Sequence, residues 1–182
     1  MGNAAALPPG RLSGRVAPRN PDTALRPLTA ADEAFARKLF QEDRGAQFAP
    51  LGLNGAMLTA LLDQQYRAQQ AGYRAAFPQA ERFVIEHRGK AAGQLMTALV
   101  ESASELTLHL IDITVSTDAR GRGIGTDVVA ALEQAACASG AIRFQLAVLD
   151  GNEAARRLYQ RLGFIAVDAG AGSHIGMVKA LR

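Results

Sequence analysis

The stretch from residue 111 to residue 139 constrains the fold most, because it joins a strand to a helix through a glycine-rich connection. Residues 111–115 (IDITV) read as the end of a strand, and residues 119–127 (ARGRGIGTD) contain three glycines and two arginines. Apolar residues then recur at helical spacing, which predicts a helix over roughly 123–139. They are Ile124, Val128, Leu132 and Ala136. The first turn of such a helix has unpaired backbone amides that favour an anion, and glycines let a diphosphate approach the backbone.

This segment does not match the known nucleotide-binding motifs. A P-loop requires a lysine that is absent here, and a dinucleotide fingerprint requires a third glycine where Thr126 stands. Five residues also separate Gly121 from the strand end at Val115, and the RG pattern occurs once rather than as a repeat. The segment therefore predicts a pyrophosphate cradle, and a plain glycine-rich turn is the remaining alternative.

The pattern of strands and helices predicts an α/β fold of the order β-α-α-β-β-β-α-β-α-β-β. The predicted strands are 23–28, 82–87, 90–100, 105–115, 142–148 and short ones near 164–168 and 175–181. A first helix begins after Thr29 as N-cap, a second ends before Pro78, and later helices cover roughly 123–139 and 153–162. Such an order is typical of a mixed, mostly antiparallel central sheet with helices on both faces.

Charge and composition exclude several classes of protein. The net charge of +3 equals the charge of residues 1–20, which hold three arginines and no acid. We therefore predict a disordered basic tail over 1–22, a single domain over 23–182, and no nucleic-acid partner. The chain has no long apolar run and no signal-peptide core, so we expect a cytoplasmic protein without a membrane partner. The single cysteine, Cys137, excludes an internal disulfide, and no residues have metal-ligand spacing.

Two motifs carry a resemblance to a known family. The segment ITVSTDARGRGIG resembles the acetyl-CoA signature of the GNAT superfamily of N-acetyltransferases, and LAVLDGNEAARRLYQRLGF resembles a later motif of the same family. The first match rests on Arg120, Gly123 and Gly125, while Thr117 departs from the proline of many members. The second match rests on Asn152, Ala155, Tyr159, Gly163 and Phe164. The two motifs occur in the family's order, and the predicted fold also agrees with that of the family.

The resemblance implies a set of binding residues for acetyl-CoA as co-substrate, with no metal. Backbone amides of the glycine loop would hold the pyrophosphate, and the end of the preceding strand would pair with the pantetheine arm. These residues are Ile113, Val115, Arg120, Arg122, Gly123, Ile124, Gly125, Thr126, Asn152 and Ala155. Asn152 also stands at a helix N-cap position. The resemblance makes Tyr159 the acid that protonates the departing thiolate, and packing on the helix's apolar face is its alternative role.

The base that deprotonates the acceptor amine is less clearly marked. Ala147 stands where some family members have a glutamate, so the base must lie elsewhere. His109 and Asp112 lie on the strand before the glycine loop, and strict alternation places them on opposite faces. We expect His109 to be the base, since related members have a histidine there, with a core histidine as the alternative. Glu105 and His174 are weaker candidates.

The sequence thus predicts an N-acetyltransferase that moves acetyl from acetyl-CoA to a primary amine of a small molecule or amino acid by direct attack. Polar, uncharged residues of the second helix, such as Gln69 and Tyr73, favour a small polar acceptor over a basic peptide. The alternatives are a non-catalytic acyl-CoA-binding module and an acetyltransferase for protein N-termini or lysines. The resemblance also implies that a homodimer can form.

Overall fold

A computed structural model of the chain describes residues 12–48, 52–53, 55–102, 105–167 and 173–182. The strands are β1 (Thr23–Pro27), β2 (Glu81–His87), β3 (Lys90–Ser102), β4 (Glu105–Val115), β5 (Arg143–Leu149), β6 (Ile165–Val167) and β7 (His174–Ala180). The helices are α1 (Glu33–Phe48), α2 (Gly55–Ala76), α3 (Ile124–Ala138) and α4 (Glu153–Arg161). Short 3-10 turns at Ala30–Asp32 and Thr117–Ala119 precede α1 and the glycine loop. The predicted order of strands and helices is confirmed.

The seven strands form one sheet in the order β1-β2-β3-β4-β5-β7-β6. Strands β1 to β4 pair antiparallel with their neighbours, as do β5 with β7 and β7 with β6. The parallel pair is β4 with β5, because α3 carries the chain across one face of the sheet between them. The predicted mixed, mostly antiparallel sheet is confirmed.

Two apolar clusters cover the two faces of the sheet. The larger cluster packs α3 and α4 onto one face, with Val128 and Leu132 against strand residues such as Leu108 and Phe144. The smaller cluster joins α1 to α2 through Phe40 and Tyr66, whose ring centroids lie 5.5 Å apart. Tyr66 also attaches this helix pair to the sheet, because its hydroxyl accepts a hydrogen bond from Arg82 of β2.

Residues 12–22 differ from the predicted disordered tail, and the remaining tail residues, 1–11, lie outside the described residues. Leu12 is fully buried in the larger cluster, and its amide donates to Glu81 Oε1 at 2.6 Å. The Asp127 carboxylate accepts from the amides of Arg19 and Asn20 at 2.9 and 3.1 Å. Composition could not reveal this packing, because it depends on one apolar side chain and two carboxylates that are distant in sequence.

The helix ends follow the sequence signals. Thr29 caps the turn before α1, where its amide and hydroxyl both donate to Asp32 Oδ2, at 2.9 and 2.8 Å. Helix α2 ends at Ala76, two residues before Pro78, which cannot continue a helix. Among the described residues, no helix combines the length and apolar character needed to cross a membrane.

Candidate functional site

A gap opens in the sheet where β4 and β5 diverge. Their parallel pairing runs only from Thr107 opposite Arg143 to Leu110 opposite Leu146. Both strands continue beyond that point, β4 to Val115 and β5 to Leu149. The last residues of β4 therefore pair with β3 on one side and turn their other backbone edge toward the gap. An exposed strand edge of this kind can accept an extended ligand as an added strand.

A β-bulge at Ile111 changes which side chains of β4 lie on the same face of the sheet. Leu110 pairs with Thr97, but Asp112 pairs with the adjacent Met96, so Ile111 has no counterpart. Two residues opposing one shifts the alternation by one position. His109 and Asp112 consequently share the α1–α2 face, and the side chain of Ile113 turns to the cluster under α3. The prediction that His109 and Asp112 lie on opposite faces was wrong because it assumed an unbroken strand.

A cavity of about 520 Å³ lies between this face of the sheet and helices α1 and α2. We call it the acceptor cavity. Its floor includes His109 and Asp112 of β4, and Phe77, just after α2, contacts the His109 ring at 5.5 Å between centroids. Its helical wall includes Asp43, Arg44, Gln69 and Tyr73. The acceptor cavity thus combines aromatic walls with charged groups of both signs.

A second cavity of about 510 Å³ lies on the α3–α4 side of the gap. We call it the loop cavity. Gly121 and Gly123 adopt the left-handed conformation, with φ of +75° and +78°, which side chains other than glycine rarely tolerate. These two glycines turn the chain into α3, whose N-cap is Gly123. The first amides of α3 therefore lie beside a cavity, where an anion can reach them.

Gly125 leaves open space beside the start of α3. A Cβ built on this residue would meet only Leu158 Cδ1, at 3.9 Å, so a methyl group would protrude into otherwise open space. The two arginines of the loop are oriented differently. Arg120 Nε donates to the Val115 carbonyl at 2.9 Å, and Arg122 Nη2 donates to the Asp118 carbonyl at 3.0 Å. Both contacts brace the connection between β4 and α3.

The two cavities meet at three residues, Ile113, Ala155 and Tyr159. Tyr159 is buried, and α4 presents it to the gap between β4 and β5. Asn152 caps α4, since its Oδ1 accepts from the Ala155 amide at 3.1 Å, and it lines the acceptor cavity. The residues predicted to bind the co-substrate thus line one cavity or the other, except Arg122.

Burial changes the acid–base properties of the site. It raises the pKa of Asp112 to about 6, although the nearby Arg44 charge works in the opposite direction. Burial, and then the charge of Asp112, raise the pKa of Tyr159 to about 12. Tyr73 is affected in the same way, with a pKa of about 12. Burial lowers the pKa of His109, so its imidazole is neutral at physiological pH.

The two weaker candidates for the base, His174 and Glu105, lie in different parts of the structure. His174 lines the acceptor cavity, whereas Glu105 lies at the start of β4 and pairs with Arg143 Nη2 at 3.2 Å. Sequence analysis missed Asp43 and Arg44, because an acidic–basic pair on an amphipathic helix looks like an ordinary solvated surface. It also missed Gln94, whose Nε2 donates to Asp112 Oδ2 at 3.2 Å.

The described residues form no group of three or more histidine, cysteine or acidic side chains arranged to hold a metal ion. Cys137 is a half-buried free thiol on α3. It lies among the alanines of that helix and packs against the larger cluster, away from both cavities.

Comparison with known proteins gives consistent results at the level of family and fold. The profile of the acetyltransferase (GNAT) family matches residues 53–164. Thialysine N-epsilon-acetyltransferases from Sus scrofa and Mus musculus are 37% and 43% identical over 67 and 56 residues. These matches cover 37% and 31% of this chain, and the chain spans only 39% and 33% of those relatives.

The fold is similar to that of the PaiA N-acetyltransferase from Thermoplasma acidophilum in complex with coenzyme A. The TM-score is 0.66, the sequence identity is 14%, and the alignment covers 87% of this chain and 98% of the other. This likeness concerns the fold.

Proposed function

Because the chain belongs to the acetyltransferase (GNAT) family, we propose that it transfers an acetyl group from acetyl-CoA to the primary amine of a small molecule or amino acid. One observation carries the proposal above all others. Two cavities of similar volume enter the sheet gap from opposite faces and meet at Tyr159. A reaction between two substrates by direct attack requires such a meeting point.

The loop cavity is the proposed site of acetyl-CoA. The amides of residues 122–126, at the start of α3, would bind the pyrophosphate, and the open space above Gly125 supports this assignment. The free edge at Ile113 and Val115 would pair with the pantetheine arm. Ala155 and Asn152, at the start of α4, would border the thioester end. When bound, acetyl-CoA supplies the activated acyl group.

Tyr159 is the proposed acid. A pKa of about 12 keeps its phenol protonated at neutral pH, so the proton is available as the thiolate departs. The burial and the Asp112 charge that raise this pKa would also raise the basicity of a thiolate formed beside it, so the proton transfer stays nearly balanced. Tyr73 is a rival donor in the acceptor cavity, because its hydroxyl is similarly protonated.

His109 remains the proposed base, and Asp112 is a second candidate on the same face. Neutral His109 can accept the proton that the acceptor ammonium must lose. Asp112, with a pKa of about 6, is mostly ionised at neutral pH and is more basic than an exposed carboxylate. It would attract the ammonium group to the floor of the cavity even where His109 removes the proton.

In the proposed step, the acetyl carbon exchanges its bond to sulfur for a bond to nitrogen. The amine nitrogen forms a bond to the acetyl carbon while the carbon–sulfur bond breaks and its electrons stay on sulfur. The acceptor ammonium first loses one proton to solvent by way of His109 or Asp112. As the nitrogen attacks, it loses a second proton to the same base, and the thiolate takes the proton of Tyr159. Proton transfer from the base to Tyr159 through solvent then restores both groups. The products are the N-acetylated amine and coenzyme A, and no covalent enzyme intermediate is required.

The relatives' names support an amine acceptor but leave its identity open. Thialysine is an amino acid, and the names of those relatives specify its epsilon nitrogen. Acetylation of protein N-termini or lysines is the second candidate within the same chemistry. A module that binds acyl-CoA without catalysis would share the loop cavity but would not need the acceptor cavity.

Thermal unfolding in the presence of acetyl-CoA, CoA, NAD and ATP at matched concentrations tests the proposal first. A ligand at about 100 times its dissociation constant stabilises the fold by about 2.7 kcal/mol. We expect both CoA species to raise the midpoint, and NAD and ATP to have little effect. Free thiol released from acetyl-CoA in the presence of an amine panel then tests turnover. Binding without turnover of any amine or peptide would favour the acyl-CoA-binding module, and an absence of binding would overturn the proposal.

A further inference from the structure

Gln94 of β3 lies beside Asp112, and we infer that it is a positioning residue of the acceptor site, which holds the Asp112 carboxylate as the anchor for a protonated acceptor amine. The inference rests on the proposed function and names the substrate class of the acceptor cavity, which is an alkylamine that is cationic at neutral pH. It predicts that such amines bind more tightly than nucleophiles of the same shape that are neutral.

Gln94 places an amide in a buried and mostly apolar stretch of β3. Residues 92–99 of this strand are buried, and the residues that follow Gln94 are Leu95 and Met96. A buried amide is costly unless it is hydrogen-bonded. Its Nε2 donates to Asp112 Oδ2 at 3.2 Å, so the amide has its partner in the floor of the acceptor cavity.

The β-bulge at Ile111 makes this contact possible. Asp112 pairs with Met96, and Gln94 lies two residues along β3 on the same face, so the two side chains are diagonal neighbours across the strands. Without the bulge, the Asp112 side chain would lie on the other face of the sheet. The bulge therefore places Gln94, Asp112 and His109 on one face, under α1 and α2.

The contact with Gln94 uses one of the two carboxylate oxygens of Asp112. Among the described residues, no donor hydrogen-bonds to Oδ1, and the one buried side-chain nitrogen or oxygen without a partner is Gln69 Oε1. Oδ1 is therefore not shut off from solvent, and Asp112 lines the acceptor cavity. A neutral amide fixes the carboxylate without cancelling its charge, whereas a lysine in its place would form an ion pair. The negative charge is thus kept for a ligand.

Asp112 also lies near the point where the two cavities meet. Burial and then the charge of Asp112 raise the pKa of Tyr73 on α2 and of Tyr159 on α4. Burial raises the pKa of Asp112 itself to about 6, so the group is mostly ionised at neutral pH. The charged groups that act on it are Arg44, Asp43 and Arg82. An ammonium held by Asp112 is therefore close to the proposed acid, Tyr159.

Pairs of nucleophiles that share a shape and differ in charge test the inference on the full chain. Butylamine is paired with O-propylhydroxylamine, and benzylamine with phenylhydrazine. The second member of each pair has a heteroatom beside the reacting nitrogen and is mostly neutral at neutral pH. The readouts are kcat and KM for thiol release at saturating acetyl-CoA, after subtraction of the uncatalysed rate. We expect the KM of the cationic member to be lower by about tenfold or more, the usual effect of a hydrogen bond to a charged group.

Variants of Gln94 assign the preference to the anchor that it holds. Gln94→Met keeps the length of the side chain and removes the donor. It should raise the KM of the cationic members by about fivefold or more, with a smaller change in kcat, and leave the neutral members within about twofold. Gln94→Asn keeps the amide but shortens the side chain, so it should lose part of the preference. Gln70→Met is the matched control, because Gln70 is a buried glutamine of α2 outside the cavity.

The outcomes separate the inference from the proposed function. The affinity for CoA, measured by calorimetry, should be unchanged in all three variants and shows that they are folded. Equal KM values within both pairs would overturn the inference and leave the acetyltransferase proposal intact. So would a preference that is unchanged in Gln94→Met, or in Gln94→Asn if Gln94→Met does not fold. An equal loss for cationic and neutral members would show that Gln94 serves the fold alone. Turnover of no nucleophile by protein that binds acetyl-CoA would remove the proposed function, and the inference with it.

Discussion

Arg120 and Asp43 join the two cavities directly, since Arg120 Nη2 lies 2.6 Å from Asp43 Oδ1. Arg120 lies in the glycine loop beside the loop cavity, and Asp43 lies on α1 in the wall of the acceptor cavity. Both side chains are partly exposed, so the pair contributes at most about 1 kcal/mol to folding. A phosphate group in the loop cavity would compete with Asp43 for the same guanidinium.

Asp43→Asn should therefore strengthen CoA binding. Removal of the competing carboxylate leaves Arg120 available to a phosphate, and a gain of up to about 1 kcal/mol corresponds to an affinity about two- to fivefold higher. Isothermal titration calorimetry with CoA measures the change. Glu42→Gln on the same helix is the control, because Glu42 pairs with Lys38 rather than with the loop. Unchanged affinity in Asp43→Asn would mean that Arg120 does not contact the phosphates.

Gly125→Ala should separate binding from folding. A methyl group there meets only Leu158 Cδ1 at 3.9 Å, so the fold tolerates it, and alanine is favoured over glycine in helices by up to about 1 kcal/mol. The same methyl group would occupy the space above the first amides of α3, and we expect CoA binding to weaken by about tenfold or more. Gly72→Ala on α2 is the control, since a methyl group there meets nothing within 4 Å. Equal CoA affinity in the two variants would place the pyrophosphate elsewhere.

Tyr159→Phe should lower kcat by about 100-fold or more, the usual contribution of a positioned acid, with little change in the KM for acetyl-CoA. Steady-state kinetics with an accepted amine measures both constants. Tyr73→Phe is the comparison, because the pKa of Tyr73 is also raised to about 12 and this residue lines the acceptor cavity. A larger loss of kcat in Tyr73→Phe would transfer the acid role to Tyr73.

Asp112→Asn should stabilise the protein above pH 6 and weaken its activity. The carboxyl pKa rises from 3.8 to about 6 on folding, so the native state binds more protons than the unfolded state between those values. The stability of the unsubstituted protein therefore falls as the pH rises from about 4 to about 6, and it stays lower at higher pH. The groups that face Asp112 are Arg44, Asp43, Arg82 and Gln94. Urea unfolding from pH 4 to pH 8 should show a gain for the variant of about 1–3 kcal/mol at pH 8 and little at pH 4.

Asp118→Asn is the control for this pH dependence, because its expected effect on stability has the opposite sign. A hydrogen bond from Ser116 lowers the pKa of Asp118, so its stabilising effect is present above the unfolded pKa and is lost in acid. Asp118→Asn should therefore destabilise the protein at neutral pH. A flat stability difference for Asp112→Asn across the range would contradict the raised pKa.

Leu12→Ala should cost about 2–4 kcal/mol, the usual effect of truncating a fully buried leucine. Chemical denaturation measures the difference. Ile165→Ala is the comparison, because the Ile165 side chain is 66% exposed, and we expect a change of about 0.5 kcal/mol or less. Equal effects of the two substitutions would mean that residues 12–22 do not pack as described.

Much of the fold could be read from local patterns. Alternating apolar residues set the strands, helical spacing set α3 and α4, and Pro78 marked the end of α2, because each signal acts within one turn or one strand. The glycine loop was recognisable for the same reason, since the glycines that turn the chain lie directly before the helix that they lead into. Asn152 could likewise be assigned as the cap of α4 from its position alone.

The arrangement of the site depended on contacts between distant residues. The bulge at Ile111 arises from pairing with β3 and brings Asp112 onto the face of His109, which alternation along β4 alone could not predict. The roles of Asp43 and Arg44 depend on how α1 packs over the sheet gap, and the raised pKa of Asp112 depends on its burial there. Residues that are adjacent in sequence thus determine the elements, whereas the packing of those elements against one another determines which side chains share a cavity and what charge they carry.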